Sequence, residues 1–504
     1  MYIPNILGIS GSLRNARFGR GSDILLSELK QIKSKNSLIK FLESQTKIRI
    51  SDILLSKKKE NQPFDETYRA LQKLKGDKGL SNSEASLAAG LWGAYQNGCN
   101  ISHTGLSTFF PMNGAPRRLN ELRKKILSAD AILISGPVYF GDRGSLVHEF
   151  IEYIRSDKKL SDHCKGKAYA GITVGAKRNG GQETTLIYQI VDMSNLNMLV
   201  VGNSAETTSQ YGGTVLAGDV GTAWQDEYGI NTSIGTGARL AKIQKSLSNT
   251  KNLKLKNSIK IGILVVQDSN DFKAIKYAEK FIKKTSVSNV DFEVLNIANQ
   301  NIARCIACDL CPTHHAPAEE YACIIKNSDD FFFNNHKKLV SYDAILLMGY
   351  SGIIREKENS VYQRFVERTR YWRRSSYMIG DKLTAPFVIS ELNSNQNLHI
   401  RMLTSLIRHH TIIHHPITAF EKNNTLLNSE YAQEQFDNFS RDAIKTSIAK
   451  LSFSESELKS EYNPIGYLIS KERDNIDKKV GKINYVFKQK KRKIILDKKR
   501  LSFK

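Results

Sequence analysis

Ser128-Ala-Asp-Ala-Ile-Leu-Ile-Ser-Gly136 and Ser341-Tyr-Asp-Ala-Ile-Leu-Leu-Met-Gly349 are nearly the same phrase, written once in each half of the chain. Each is a short aliphatic run closed by glycine, the pattern of a strand buried on both faces. Their surroundings repeat as well. Upstream, residues 2–10 and 259–266 form apolar strands, each followed by a helix, at about 22–33 and 272–285. Downstream, a loop leads into an amphipathic helix, 146–155 and 361–374, and then to strands near 168–174 and 385–389. In the second helix Phe365, Val366 and Trp372 face the core and the arginines face solvent.

Apolar runs alternating with helices predict parallel strands joined by crossovers, hence α/β sheets covered on both faces. Two such series predict two tandem doubly wound sheets, at 1–250 and 257–450, with a basic extension over 451–504. The first half carries an insertion at about 56–97, whose Ala- and Leu-rich end, 85–96, reads as helical.

A chain of 504 residues is long enough for more than one core. No apolar run reaches the length of a membrane span. The start, Met1-Tyr2-Ile3-Pro4-Asn5, has neither a basic segment nor a cleavage site, so the expectation is a cytoplasmic protein. The formal charge of +24 is concentrated toward the end: residues 471–504 hold fourteen Lys or Arg against four Asp or Glu. Such a tail is ordinarily solvated surface, with contact to nucleic acid, a membrane surface or an acidic partner as the alternative.

Four of the six cysteines, Cys305, Cys308, Cys311 and Cys323, fall in the spacing C-x2-C-x2-C-x11-C. Closely spaced thiols can converge on one soft metal centre, and a triple followed by a fourth suits a four-iron cluster. Zinc, the alternative, more often takes two separated C-x2-C pairs. His314 and His315 in the same loop could replace a ligand, and thiols left free or paired are the remaining reading. His409, His410, His414 and His415 flank a short apolar strand, where a strand-end role is favoured over a second metal site.

The first strand runs into Gly8-Ile-Ser-Gly-Ser-Leu-Arg-Asn15, a Ser/Gly-rich turn before a helix, which suits a phosphate: backbone N–H groups and hydroxyls donate and the helix N-terminus favours an anion. The third strand runs into Pro137-Val-Tyr-Phe-Gly141, beside the point where a doubly wound sheet reverses its strand order and binds ligands. That loop offers a stiff turn, backbone polar groups and aromatic surface; the alternative is that Tyr139 and Phe140 tuck into the core.

These two phrases, with Gly175-Ala-Lys-Arg-Asn-Gly-Gly-Gln-Glu-Thr-Thr185 and the later Tyr211-Gly-Gly213, Asp219 and Gly235-Thr-Gly-Ala-Arg239, resemble the flavodoxin-like NAD(P)H-dependent FMN reductases and iron–sulfur flavoproteins. The resemblance covers most of residues 2–245 apart from the insertion. It implies a flavodoxin-like fold, and FMN whose phosphate meets Ser10, Ser12 and Arg14, with Ser22 a further candidate. Pro137, Val138, Tyr139, Phe140 and Gly141 would line the flavin ring, and Gly180 and Gly181 would approach its other edge. No catalytic side chain is assigned, although the resemblance puts Tyr139 where it could touch a substrate. The segment 15–21 is longer and more basic than the family's loop. No G-x-G-x-x-G fingerprint marks a separate nicotinamide domain, which leaves room for NAD(P)H stacking transiently on the flavin.

By the same resemblance the second half has the cysteine motif in the family's place but carries Gln267-Asp-Ser-Asn-Asp271 where the phosphate loop should be. Two carboxylates there oppose a phosphate. The first half keeps only Cys99 where cluster ligands should be. The reading is therefore an oxidoreductase or electron-transfer flavoprotein with FMN in the first half and a four-iron cluster in the second, in a chain able to form homo-oligomers. The alternative is a redox-sensing or interaction protein with a structural zinc or cluster site and a partner-binding tail.

Overall fold

β1 (Asn5–Ser10) is paired on both sides, opposite Asn100–Gly105 and Ala131–Ser135 in parallel register, and five of its six residues are buried. Burial from both faces is what its aliphatic sequence requires, and the sheet grows outward from it. The computed structural model describes residues 2–13, 17, 19–57, 78–207, 210–250, 253–255, 257–308, 310–311 and 320–453. They divide into two compact units between Ser248 and Asn249.

In the first unit β1 is followed by α1 (Arg20–Gln31), α2 (Lys35–Lys57) and α3 (Asn82–Gln96). β2 (Asn100–Gly105), α4 (Leu119–Leu127), β3 (Ala131–Tyr139) and β4 (Asp142–Arg143) come next. Then follow α5 (Ser145–Ser156), α6 (Lys158–Cys164), β5 (Ala168–Gly175) and α7 (Gln182–Asn195). β6 (Leu199–Val200), β7 (Gly213–Leu216) and α8 (Glu227–Ser248) complete it. The parallel order is β2-β1-β3-β5, and β5 pairs with β6 at its start and β7 at its end.

The second unit repeats that plan with β8 (Ile259–Ser269), α9 (Lys273–Lys284), β9 (Val290–Asn296), α10 (Phe331–Ser341) and β10 (Ala344–Ser351). β11 (Glu358–Ser360), α11 (Tyr362–Arg368), α12 (Arg370–Ser376), β12 (Leu383–Glu391) and α13 (Leu398–Ile407) follow. The last elements are β13 (Ile412–Ile413), β14 (Ile417–Lys422), β15 (Thr425–Leu426) and α14 (Ser429–Lys450). The parallel order is β9-β8-β10-β12, and β12 pairs first with β13 and then with β14. Both units therefore share the doubly wound order 2-1-3-4-5, with the fifth strand broken in two.

Two sequence expectations need correction. The helix at 85–96, read as the end of an insertion, belongs to the core. α3 is buried from Ser83 through Ala94 and packs against α8 so closely that a Cβ on Gly237 would run into the Gly90 carbonyl. Its Ala/Gly composition serves that backbone approach, and an apolar surface on every side is the mark of a core helix. The basic aromatic helix of 361–374 is two short helices broken at Thr369, whose hydroxyl donates to the Val366 carbonyl at 2.7 Å. Its arginines are not all in solvent, since Arg368 and Arg374 are 1% exposed. Residues 58–77 of the insertion, and the extension beyond 453, lie outside the described residues. Among the described residues no helix is long and apolar enough to cross a membrane.

Candidate flavin site and cysteine loop

The loops after β1, β3 and β5 meet at the carboxyl edge of the first unit's sheet. Gly11 donates its N–H to the Ser135 carbonyl at 2.8 Å, which ties the first loop to β3. A Cβ at Gly11 would strike Val147 of α5, so glycine is needed there. Ser10 is fully buried, and its hydroxyl has no partner among the described residues. An orphaned hydroxyl at the carboxyl end of a central strand is compatible with an absent anion. Ser12 is 8% exposed beside it, and Arg14 lies outside the described residues.

One residue of the extra basic segment, Arg17, turns inward. Arg17 is completely buried and donates to Glu28 Oε2 at 2.9 Å, Gln45 Oε1 at 2.6 Å and the Gly79 carbonyl at 3.3 Å. Ser22 is not brought to the loop; its hydroxyl is 2.9 Å from His103 Nδ1. His103 Nε2 is in turn 3.5 Å from Glu84 Oε1, and all three side chains are buried. Burial pushes Glu84 up to about 8 and His103 down to about 3, so at neutral pH this contact joins neutral groups rather than an ion pair. With no exposed surface, the trio holds α1, α3 and β2 together and offers nothing to a substrate. Its sequence signal was Ser81-Asn-Ser-Glu84, a capping box that opens α3, with Ser81 Oγ accepting from Glu84 N–H at 3.3 Å.

The Pro137 loop is a hairpin. β3 continues to Tyr139 and pairs antiparallel with β4 through Val138–Arg143 and Tyr139–Asp142. Phe140 at φ 52° and Gly141 at φ 81° form the two-residue turn, as a hairpin of this length requires. The aromatic pair is not tucked into the core: Tyr139 is 55% exposed and Phe140 is fully exposed. A non-glycine residue held at positive φ with its ring in solvent is backbone strain at a surface tip, where ligand contacts are commonly found. Arg143 fixes the hairpin to α7 by an ion pair with Asp192 at 2.6 Å.

The third loop closes on that tip. Gly181, at φ 98°, precedes α7, and a Cβ there would sit 2.8 Å from Gly141 Cα and 3.2 Å from Val138 Cγ1. Gly180 is exposed next to it, its N–H donating to Lys177 O at 3.1 Å. Gln182 braces the turn from beneath, 3% exposed, with Nε2 donating to the Lys177 carbonyl at 2.7 Å. The sequence places this glutamine in the Gly-Gly stretch without giving it a role of its own. The hairpin and the Gly-Gly turn, forty residues apart in sequence, thus form one rim.

Residues 87–211 match the family model described as NADPH-dependent FMN reductase. That match lies within the first unit and includes the Pro137 hairpin and the Gly-Gly turn. An iron–sulfur flavoprotein of Methanocaldococcus jannaschii is 32% identical over 127 residues, covering 25% of this chain and 65% of that protein. Iron–sulfur flavoproteins of Archaeoglobus fulgidus and Methanosarcina thermophila are 29% and 27% identical over 139 and 135 residues. Those matches cover 27% of this chain each, and 67% and 66% of the relatives. The chain thus spans about two thirds of the length of the relatives it matches. Among solved structures, a WrbA-like flavodoxin from Agrobacterium tumefaciens is 14% identical at a TM-score of 0.26, covering 48% of this chain and 98% of that one. A flavone reductase is 14% identical at 0.28, covering 51% and 68%.

In the second unit the cysteines occupy the segment between β9 and α10. Its base is closed by Arg368, which forks onto Asp330 with Nη1–Oδ2 at 2.7 Å and Nη2–Oδ1 at 3.0 Å. The same guanidinium donates to the Ala303 carbonyl at 3.1 Å and to the Tyr321 hydroxyl at 2.7 Å. Asp330 also accepts from Ala303 N–H at 2.9 Å and caps α10 through Phe333 N–H at 3.0 Å. Both ends of the cysteine segment are thereby held at one buried ion pair.

Cys305, Cys308, Cys311 and Cys323 are free thiols of intermediate exposure. Burial pushes Cys311 up to about 11, the nearby Cys323 and Cys308 also raise it, and Arg374 and Arg370 oppose them. The donor chemistry fits a thiolate-held metal group. Among the described residues, however, no three His, Cys, Asp or Glu side chains are gathered into a coordination group. His314 and His315 lie outside the described residues. The histidines around β13 are spread over different partners: His409 on Thr369 at 3.0 Å, His414 on the His415 carbonyl at 3.0 Å and His415 on Tyr431 at 3.2 Å.

Proposed function

We propose that the chain is an FMN-dependent oxidoreductase whose first unit holds the flavin and whose second unit holds a four-iron cluster, arisen by duplication of one doubly wound unit. The observation that carries the reading is the rim formed by Gly181 against Gly141 and Val138. It sits at the carboxyl edge of the unit that matches the FMN reductase family. Ser10, Ser12 and Arg14 would receive the phosphate. Pro137 to Gly141, with Gly180 and Gly181, would bound the ring, and the exposed Tyr139 would meet the substrate face. No side chain is required as an acid or base; the loops position the ring and leave one side open for NAD(P)H.

The four thiols supply the donor set for the cluster, and the iron–sulfur flavoprotein relatives support that reading by name. When bound, FMN accepts two electrons as hydride and can release them singly, whereas a cubane cluster carries one at a time. The chain's part is to fix both sites and to let electrons pass between them, in the monomer or in a homo-oligomer within a reducing compartment.

The test is anaerobic purification, a visible spectrum, and FMN, iron, sulfide and zinc per chain. About one FMN with about four irons and matching sulfide supports the reading. Zinc in place of iron makes the cysteine loop structural. Two flavins per chain ends the division between units, and a folded chain with no flavin ends the proposal.

A further inference from the structure

The second unit carries a cleft that the flavin and cluster reading does not use. It opens at the carboxyl ends of β8 and β10, where the strand order reverses and open α/β sheets take ligands. The cleft has a volume of about 530 Å³ and is lined by Arg304, Arg355, Arg364 and Arg401, with Asn359 and Gln363 between them. A second cleft of about 280 Å³ shares Arg355 and Arg401 and continues over the loop 393–396.

The four guanidinium groups come from four different places: the loop after β9, the turn at 355–357, α11 and α13. No Asp or Glu lines either cleft. Among the described residues none of the four arginines makes an ion pair within 4.0 Å. The nearest carboxylates are already spent. Glu358 accepts from the Gly352 N–H, from Gln396 Nε2 at 3.0 Å and from Gln267 Nε2 at 3.4 Å. Glu391 accepts from Ile353 N–H at 2.8 Å. All four arginines are exposed, so water screens their repulsion, and Glu358 faces Arg355; the lining itself still presents a single sign of charge.

We propose that this cleft binds a small polyanion carrying at least two phosphate or carboxylate groups. Guanidinium forks match both groups bidentately. Two clefts joined at Arg355 and Arg401 fit an extended molecule charged at both ends, and the volume falls within the range of small-molecule sites. The lining selects for charge rather than for a ring. Its aromatic member, Tyr362, is 4% exposed, and the Arg401 guanidinium lies 5.0 Å from the ring centroid. Arg304 directly precedes Cys305, so the ligand lies at the foot of the cysteine loop. The inference is independent of the flavin in the first unit, and FMN content reports that reading separately.

The experiment is calorimetric titration of the full chain at fixed ionic strength with pyrophosphate, adenosine diphosphate and citrate as probes. Arg355→Gln/Arg401→Gln removes the two shared arginines. Lys276→Gln/Lys280→Gln removes the same charge from the exposed face of α9. The expected result is saturable binding of at least one probe, weakened roughly tenfold or more, about 1.4 kcal/mol, in the arginine pair and unchanged in the lysine pair. Preference for pyrophosphate and the diphosphate identifies a phosphate ligand, and preference for citrate a polycarboxylate. Three results overturn the proposal: no probe saturating below about 1 mM, equal loss in both double variants, or tighter binding of a single-stranded oligonucleotide. Should the double arginine variant fail to fold, Arg364→Gln, at an exposed position of α11, is read against the same controls.

Discussion

Asp268 Oδ1 accepts the N–H of Ala274 at 2.6 Å, and Oδ2 accepts that of Ile275 at 3.4 Å, so a carboxylate of the chain itself sits at the N-terminus of α9. A helix start of this kind is where an anion binds. In the first unit the matching region offers the unpartnered hydroxyl of Ser10, opposite Ser135; in the second, Val265 stands opposite Met348 and the strand runs on to the carboxylate. Asp268→Ala removes the acceptor of two orphan N–H groups. It is expected to lower stability by about 1 kcal/mol, read from urea midpoints, with FMN content per chain unchanged. A rise in FMN content would mean that this carboxylate is what keeps a flavin phosphate out of the second unit.

Gly181 is the contact on which the proposed flavin rim depends. Alanine there meets both a positive φ and the backbone of Gly141. The backbone conformation alone costs about 1–3 kcal/mol, and the contact must in addition push the hairpin tip away. Gly98, also at positive φ but with nothing within 4 Å, is the control that carries the strain without the contact. Gly181→Ala is expected to weaken FMN binding about tenfold or more with the fold retained, whereas Gly98→Ala should lower the melting temperature and leave flavin affinity alone. Equal FMN affinity in the two variants would remove Gly181 from the site.

Residues whose neighbours are close in register were legible in the sequence. The repeated Asp-Ala-Ile-Leu strands place both sheets, because a parallel strand buried on two faces has a distinctive composition. The Pro-Val-Tyr loop and the Gly-Gly turn were also legible, since each lies at a strand end. What stayed hidden depends on partners distant in sequence. Arg368 looked like part of a solvated basic face, because nothing in the spacing of 361–374 reveals that Asp330 comes up beneath it. α3 read only as the end of an insertion because a helix buried all round has no polar stripe to orient it. The arginine cleft was invisible for the same reason, its four side chains coming from four separated elements.

Glu84 gives the first unit a signature in pH. Its folded pKa of about 8 lies above the ordinary 4.5, so between those values the folded state holds a proton that the unfolded state has lost. Stability therefore falls as pH rises across that window. His103 works in the opposite sense, from the ordinary 6.5 down to about 3, so its contribution is lost as pH falls through that range. Arg17 and Arg49 face Glu84 and limit its rise. Between pH 6.5 and 8 only the Glu84 effect of this pair remains. Glu84→Gln keeps the capping box and is expected to abolish a decline of up to about 2 kcal/mol over that interval. Urea midpoints of wild type and variant at both ends check it; parallel slopes would mean that Glu84 ionises freely in the fold.

Arg368 separates the structural role of the cysteine loop's base from the chemistry of its thiols. The guanidinium and Asp330 are 1% and 0% exposed, so removing one partner leaves the other charge buried and uncompensated. Arg368→Ala is expected to cost about 3–5 kcal/mol and, on the proposed cluster reading, to lower iron per chain, because the carbonyl of Ala303 and the hydroxyl of Tyr321 lose their donor together. Arg368→Lys retains the charge but not the fork that spans both carboxylate oxygens. It should therefore fall between wild type and alanine in stability and in iron per chain. Replacing both partners, Arg368→Met with Asp330→Asn, should recover stability relative to Arg368→Ala while iron stays low, since the segment is then folded at its base but no longer held by the fork. Iron that follows stability through all three variants would instead assign the pair to general folding of the unit. Measuring urea midpoints and iron on the same preparations distinguishes the two outcomes.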